Sequence, residues 1–364
     1  MRKNRINILF ICPYPIDEAP SQRFRFEQYF DLLKAKGFLF EVRPFLSLST
    51  WQLLYKPGHT ILKTMGILRG FLSRILILPS IRHFDFVFIH REATPIGPAW
   101  FEWLVAKVFQ KKIIYDFDDA VWLPNTSKEN GLAARLKWHS KVRSIFTWSY
   151  AISSGNEYLC NFARPFNNRV FLNPTTIDTE RLHNPDRYPQ KTNSDRITIG
   201  WTGTHSTLKY LDFLIPVIQL LEKKFSDRLR FMVIADKKPT FALSSLHFVP
   251  WSKETEVQDL LQFDIGIMPL TDDIWARGKC GFKALQYLSL RIPAVVSPVG
   301  VNAEIVETEI SGFVCNEPNE WITALTRLIE SEVLRKKMGE SGRKKVIESY
   351  SVASNSENFL SLFS

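Results

Sequence analysis

Residues 263–306, FDIGIMPLTDDIWARGKCGFKALQYLSLRIPAVVSPVGVNAEIV, restrict the fold more than any other part of the chain. Asp264–Leu270 is an apolar run of strand length, and Thr271–Gly281 is a polar loop carrying Asp272, Asp273, Trp275, Arg277 and Lys279. Phe282, Leu285 and Leu288 then recur at the three-to-four spacing of a helix packed on a sheet. Ile292–Ser297 reads as a second apolar strand, and Pro298–Asn302 as the loop that follows it. A strand–helix–strand unit in one parallel sheet brings both loops to the carboxyl ends of the strands, where ligands of open α/β sheets bind. Gly278-Lys279-Cys280-Gly281 stands at the helix start, where free backbone N–H groups and the helix dipole favour a phosphate. A solvated turn is the plainer alternative.

The same alternation runs through the rest of the 364 residues. Strands are expected at Ile6–Cys12, Phe40–Phe45, Asp85–His90, Lys112–Phe117, Tyr150–Ser154 and Val170–Asn173, with Ser21 as the N-cap of a helix ending at Gly37. The polar segment Arg187–Asp195 reads as a linker, after which strands resume at Ile197–Gly203, Leu229–Ala235 and His247–Trp251. A chain of this length exceeds one ordinary core. The expected architecture is α/β: two Rossmann-like, doubly wound parallel-sheet domains facing a cleft. The boundaries are 1–190 and 191–347, with a C-terminal helix in 348–364 packing back on the first domain.

Charge is divided unevenly. Residues 1–200 carry 28 Lys and Arg against 17 Asp and Glu, whereas residues 201–364 carry 19 against 20. The basic first half suits an anionic partner such as a phosphate-bearing acceptor, a lipid surface or nucleic acid. Cys12, Cys160, Cys280 and Cys315 form no CxxC pair, which speaks for a reducing compartment and against structural zinc or disulfides. Pro13 and Pro15 break the apolar N-terminal run, so a first strand explains it better than a signal peptide. A cytoplasmic protein is expected. The segment Trp51–Pro79 mixes Leu, Ile, Phe and Trp with Lys56, Lys63, Arg69 and Arg74; it suits either a basic amphipathic helix at the inner membrane face or a core helix.

Several short motifs carry chemistry. The Gly278–Gly281 loop is not a P-loop, because Asp273 stands where its first glycine belongs and Cys280 where Ser or Thr would hold magnesium. GxGxxG is also missing, which disfavours an oxidoreductase. Gly200 and Gly203 end a strand ahead of Thr204, His205 and Lys209, a turn that lets backbone approach a ligand closely. Asp116, Asp118 and Asp119 place three carboxylates at one strand end and need cations, hydrogen bonds or a metal. Acceptor binding or a structural partnership with basic loops is expected there, with a DxD metal site and helix capping by Asp119 as the alternatives. Ser21, Arg23 and Arg25 follow the first strand, and His90 with Arg91 follows the third; both sets belong at the sheet edge and suit phosphate or acceptor contacts.

The sequence IGWTGTHSTLK followed by GKCGFKALQYLSLRIPAVVSPVGVNAEIV resembles the group 1, family-4-like retaining glycosyltransferases of the GT-B fold. HREATPIGPAWFEWLVAKVFQKKIIYDFDDAVWL resembles the N-terminal half of the same group, so the likeness spans nearly the whole chain. It implies transfer of a sugar from a nucleotide-diphosphate sugar to a lipid-linked or glycan acceptor, with retention, without a metal and with no cofactor beyond the donor. Nucleic acid is not expected as a partner. Gly203, Thr204, His205, Lys209, Arg277, Gly278, Lys279, Cys280, Gly281, Phe282, Gln286, Gly300, Val301 and Asn302 would then bind the donor. Ser21, Arg23, Arg25, Arg91 and Asp116 would meet the acceptor, and His90, Asp118 and Asp119 would be catalytic. The family's paired glutamates fall on Gly278 and Gln286, with Asp272 or Asp273 as possible substitutes for the first. Its phosphate-binding arginine falls on Thr204. These departures leave a nucleotide-sugar epimerase or a non-catalytic nucleotide-sugar or polymer-binding protein as the alternatives.

Overall fold

The computed structural model describes residues 5–54, 56, 58–124, 137–189 and 195–364. Contacts divide the chain into two units, Met1–Thr175 with Ser356–Ser364, and Thr176–Asn355. In the first unit six strands, β1 (Asn7–Cys12), β2 (Leu39–Pro44), β3 (Phe86–His90), β4 (Lys112–Phe117), β5 (Ala151–Ser154) and β6 (Val170–Leu172), form a parallel sheet in the order β2-β1-β3-β4-β5-β6. Ile8 to Cys12 and Phe86 to His90 are buried at every position. Unbroken burial of this kind, rather than alternation, marks a parallel sheet covered on both faces. Phe10 stacks on Phe26 at 5.4 Å, and Phe88 adds to the same aromatic core. The terminal segment Ser356–Ser364 completes it, with Phe359 stacked on Tyr29 at 4.1 Å and Phe363 edge-on to Phe86.

The helix expected from Ser21 to Gly37 is broken into Pro20–Arg23, Glu27–Tyr29 and Phe30–Ala35. Ser21 is not the cap: proline favours the first helical position, so Pro20 moves the cap to Ala19. The unit boundary precedes the polar segment 187–195, of which residues 190–194 lie outside the described part. Residues 176–189 are tied into the second unit by Ile177 N–H to Tyr350 O, by Arg343 to His183 O and by Arg291 to Asp186.

The second unit is a parallel sheet of β7 (Ile197–Gly203), β8 (Leu229–Ala235), β9 (Leu246–Pro250), β10 (Ile265–Met268), β11 (Ala294–Val296) and β12 (Gly312–Val314), in the order β12-β11-β10-β7-β8-β9. The strand order reverses between β7 and β10. Gly200 and Gly266 are partners in register there. A Cβ on Gly200 would lie 2.1 Å from the Phe263 ring, and one on Gly266 would lie 2.3 Å from the Tyr287 ring. The β7–β10 ladder is short, and the Tyr287 hydroxyl takes over where it stops. It accepts from Thr202 N–H at 3.2 Å and donates to Ile267 O at 3.3 Å, bridging the two strands at the reversal. No helix among the described residues is long and apolar enough to cross a membrane.

Tyr287→Phe removes this bridge and leaves a buried N–H and C=O without it. We expect a loss of about 1–3 kcal/mol, the usual cost of orphaning buried polar groups. Denaturant unfolding followed by fluorescence and by circular dichroism checks this; a change within about 0.5 kcal/mol would show that the strands close the gap by themselves.

Candidate functional site

In an open parallel sheet the crevice outside the carboxyl ends of strands at the order reversal is the expected ligand position. In the second unit the loops after β7 and β10 flank that point, and the loop after β11 lies beside them. Thr204, exposed, opens the turn after β7 in a reciprocal capping arrangement with Thr207. His205 is fixed to Asp236, which accepts its backbone N–H at 2.6 Å and contacts its ring Nδ1 at 2.5 Å. Gly203 is glycine for a local reason: a Cβ would sit 2.5 Å from the Trp201 ring and 2.8 Å from Thr207 Oγ1. Lys209 is exposed one turn on, with its ammonium 5.2 Å from the Tyr210 ring centroid.

The loop after β10 contains a helix, Ile274–Arg277, that loop composition alone did not reveal. Asp273 caps it through Oδ1, accepting from Ala276 N–H at 2.7 Å. Arg277 forks onto Asp272 at 2.7 and 2.9 Å, and this pairing holds the Asp272 carboxyl below its usual range. Both acids considered as substitutes for the missing glutamate are thus engaged within the loop. Gly278 and Cys280 are buried, whereas Lys279 is half-buried, its ammonium 5.8 Å from the Trp275 ring. Gly281 has φ +67° and starts the helix Phe282–Ser289; a Cβ there would meet Ile305 at 2.1 Å and Val301 at 3.2 Å. Gly300, at φ +60°, lets its loop approach the carbonyls of Arg277 and Lys279, each 3.2 Å from where a Cβ would stand. Asn302 Nδ2 donates to Ser297 O at 3.1 Å, and Ser297 Oγ accepts from Leu270 N–H at 3.0 Å. Gly300, Val301 and Asn302 therefore brace the glycine loop from behind.

Two side chains differ from the sequence reading. Gln286, expected to reach toward a ribose, is buried: its amide donates to Glu256 Oε1 at 3.2 Å and lies 3.4 Å from His183 Nε2. Buried polar groups take whatever partners are near, and Glu256 and His183, distant in sequence, supply them. Lys283 was not singled out, yet it stands half-buried in the first turn of Phe282–Ser289, with its ammonium 5.5 Å from the Trp201 ring. Its spacing of one helical turn from Lys279 was the available signal.

In the first unit the strand ends carry a buried ionic cluster. Asp116, with no exposed surface, accepts from Arg25, from His90 Nδ1 at 2.8 Å and from Ser153 Oγ at 2.6 Å. Arg25 also donates to Asn173 O. Burial pushes the Asp116 carboxyl up, but the Arg25 charge and the His90 hydrogen bond outweigh it and hold the group well below the usual carboxylate range. An ionised Asp116 accepts the hydrogen bond of His90 Nδ1–H, and the buried Nε2 has no hydrogen-bond partner among the described residues. Arg91, at φ +58°, donates to Asp118 and Asp119 at 2.7 Å each. These two acids thereby hold an arginine rather than standing as free bases. Arg23 is buried beside Phe24, its guanidinium 5.1 Å from the ring, with Asp17 at 3.6 Å. Ser21 is half-buried within its helix. Gln22, not singled out from sequence, is fully buried and ties Tyr14 N–H and O to Glu27, whose carboxyl burial pushes up to about 7 against the Gln22 hydrogen bond. Among the described residues no group of three or more His, Cys, Asp or Glu is set to hold a metal ion.

Asp116→Asn strands the Arg25 charge in the interior, for which we expect a loss of about 3–5 kcal/mol. The wild-type carboxyl has a depressed folded pKa, so its stabilisation is present above the unfolded value of about 3.9 and disappears as pH falls from there toward the folded value. Thermal melts from pH 7 down to pH 2 should show that acid dependence in the wild type and a flatter profile in the variant.

Residues 196–331 match the family described as Glycosyl transferases group 1. Among curated proteins none matches the sequence. Among solved structures, a glycosyltransferase from Rickettsia africae ESF-5 superposes with a TM-score of 0.70 at 13% identity, covering 99% of this chain and 98% of that one. Sucrose-phosphate synthase from Thermosynechococcus elongatus gives 0.69 at 12% identity over 99% and 98%. Anabaena HepE, solved in complex with UDP-glucose, gives 0.63 at 10% identity over 98% and 99%. These structures share the fold: two parallel sheets with helices, the GT-B arrangement. Residues 196–331, within the second unit, thus match the domain of the group 1 glycosyl transferases.

Proposed function

We propose that this protein transfers a sugar from a nucleoside-diphosphate sugar to a lipid-linked or glycan acceptor, with retention at the anomeric carbon and without a metal. The observation that carries this reading is the family's domain over 196–331, with its three ligand loops assembled at the strand-order reversal. The diphosphate is assigned to the backbone at Gly203–Thr204 and Cys280–Gly281, with Lys209, Lys279 and Lys283 as counter-charges. As the bond to the sugar breaks, negative charge grows on the leaving diphosphate. Fixed lysines and the N-terminus of Phe282–Ser289 stabilise that charge more than they stabilise the intact donor, which lowers the barrier. HepE's bound UDP-glucose makes a uridine donor the first to test.

The acceptor is assigned to the first unit, where the buried His90 Nε2 has no hydrogen-bond partner among the described residues. Such an atom can take a hydrogen bond from a substrate hydroxyl. The alternative of a nucleotide-sugar-binding protein without turnover draws on two observations: Gly278 stands in place of an acid, and Gln286 is turned into the interior.

Lys209→Ala and Lys279→Ala should each weaken UDP binding about tenfold, a charge-assisted contact of roughly 1.4 kcal/mol, and leave uridine binding unchanged. Calorimetric titration reads both; equal UDP affinity in wild type and variants would remove these lysines from the phosphate site. Donor hydrolysis separates an enzyme from a binder: UDP binding with no hydrolysis or transfer for any UDP-sugar would favour the binding protein. His90→Ala should leave UDP affinity intact while lowering kcat for transfer at least about 100-fold if Nε2 handles a substrate proton; an unchanged kcat would withdraw that role.

A further inference from the structure

The helix Thr60–Ile77 is turned the wrong way round for a soluble protein. Its inward face combines glycines and a buried arginine with Phe71 and Ile77. Gly66 packs against Thr50 and Gly70 against Phe45, where added Cβ atoms would come within 2.3 and 2.6 Å of those side chains. Arg74 is fully buried and donates to the carbonyls of Cys12 and Arg43 at 3.0 Å and of Ala93 at 2.8 Å. Its outward face is apolar. Ile61, Met65, Leu68, Leu72, Ile75 and Leu76 recur at three-to-four spacing along the exposed side, with Ile61 77%, Leu68 62% and Leu76 69% exposed. The sequence left open whether this apolar run was core or surface. The structure answers that: Gly66, Gly70 and Arg74 face inward with buried Ile77 and with Phe71, which packs edge-on to Phe45, while the longer stripe faces out.

Charge identifies what meets this face. Between Glu41 and Asp85 there is no carboxylate, while Arg43, Lys56, Lys63, Arg69, Arg74 and Arg82 all fall in that interval. Arg69 is exposed beside the stripe, and exposed Lys56 and Arg82 flank the helix at its two ends. A second copy docking by two-fold symmetry would bring the same cations together with no acid in the segment to receive them. A lipid surface supplies both requirements: an apolar interior for the stripe and phosphates for its rim. The helix is short and carries Lys63 and Arg69 along with the anchored Arg74, so it lies along a surface and does not span one.

We propose that the outward face of Thr60–Ile77 docks this protein on an anionic lipid surface, with the Ile/Leu/Met stripe entering the boundary between headgroups and acyl chains and Lys56, Arg69 and Arg82 meeting lipid phosphates. This goes beyond the transfer reaction and involves none of the loops assigned to it.

The test is co-sedimentation with vesicles of phosphatidylcholine alone or with about 30% phosphatidylglycerol, anionic content of the order that makes polybasic segments bind. Wild type should pellet with the anionic vesicles, less so as salt rises, and little with neutral ones. Leu68→Glu/Leu72→Glu should reduce binding by more than about tenfold, and Arg69→Ala by about fivefold. Both variants should keep the wild-type melting temperature and UDP affinity, because the altered side chains are exposed. Wild type failing to pellet with anionic vesicles, or the double variant pelleting as wild type does, overturns the proposal. So does a dimer, seen by light scattering, that the double variant abolishes while wild type ignores vesicles. The UDP titration is read on the same samples, so loss of lipid binding with nucleotide binding intact leaves the transferase reading standing.

Discussion

The hydroxyl of Tyr287 holds the second unit open at the one place where its strand order allows a crevice. Beyond the paired residues of β7 and β10, the phenol accepts from Thr202 N–H and donates to Ile267 O. The ring that carries this hydroxyl needs space on the sheet face, which Gly266 provides, and its neighbour Phe263 needs Gly200. The helix bearing Tyr287 begins at Gly281, so the group that spreads the strands and the loop assigned to phosphate belong to one rigid segment. The crevice and its lining are consequences of the same eight-residue helix, Phe282–Ser289.

A second regularity is that most charged side chains near the sheet edges are already spoken for. Asp272 pairs with Arg277, Asp118 and Asp119 with Arg91, and Asp116 with Arg25 and His90. Pairing of this kind fixes loop geometry and spares the interior isolated charges, which are far more costly than paired ones. It also narrows the choice of groups for an incoming anion, and for that reason the proposed donor site rests on the lysines and the backbone of the glycine loop.

Much of this was legible in the chain. Strands buried on both faces announce themselves as apolar runs, and Ile197–Gly203, Leu229–Ala235 and Lys112–Phe117 were read to the residue. The loops at their ends followed from the parallel alternation. What sequence could not supply was pairing across long separations. Gln286 turns inward because Glu256 and His183 wait for it, and Asp116 is a structural anchor because Arg25 lies 91 residues away in the chain. Ser21 lost its cap position to local competition from Pro20, and β12, only three residues long, was too short for periodicity to register. The face of Thr60–Ile77 was ambiguous for a related reason: a stripe of leucines has the same pattern whether it points in or out, and only the contacts of Gly66, Gly70 and Arg74 decide.

The placement of Phe359 and Phe363 in the first unit's aromatic core bears on how the protein is made. Those rings are added to a core whose other members, Phe10, Tyr29, Phe86 and Phe88, were synthesised more than two hundred residues earlier. A growing chain therefore presents the first sheet with part of its covering absent while the whole second unit emerges. Domains tend to fold in order of synthesis, yet here the earlier one is finished last. In sequence the second unit is an insertion within the first, and Ser356–Ser364 supplies the covering that the first sheet lacks until then.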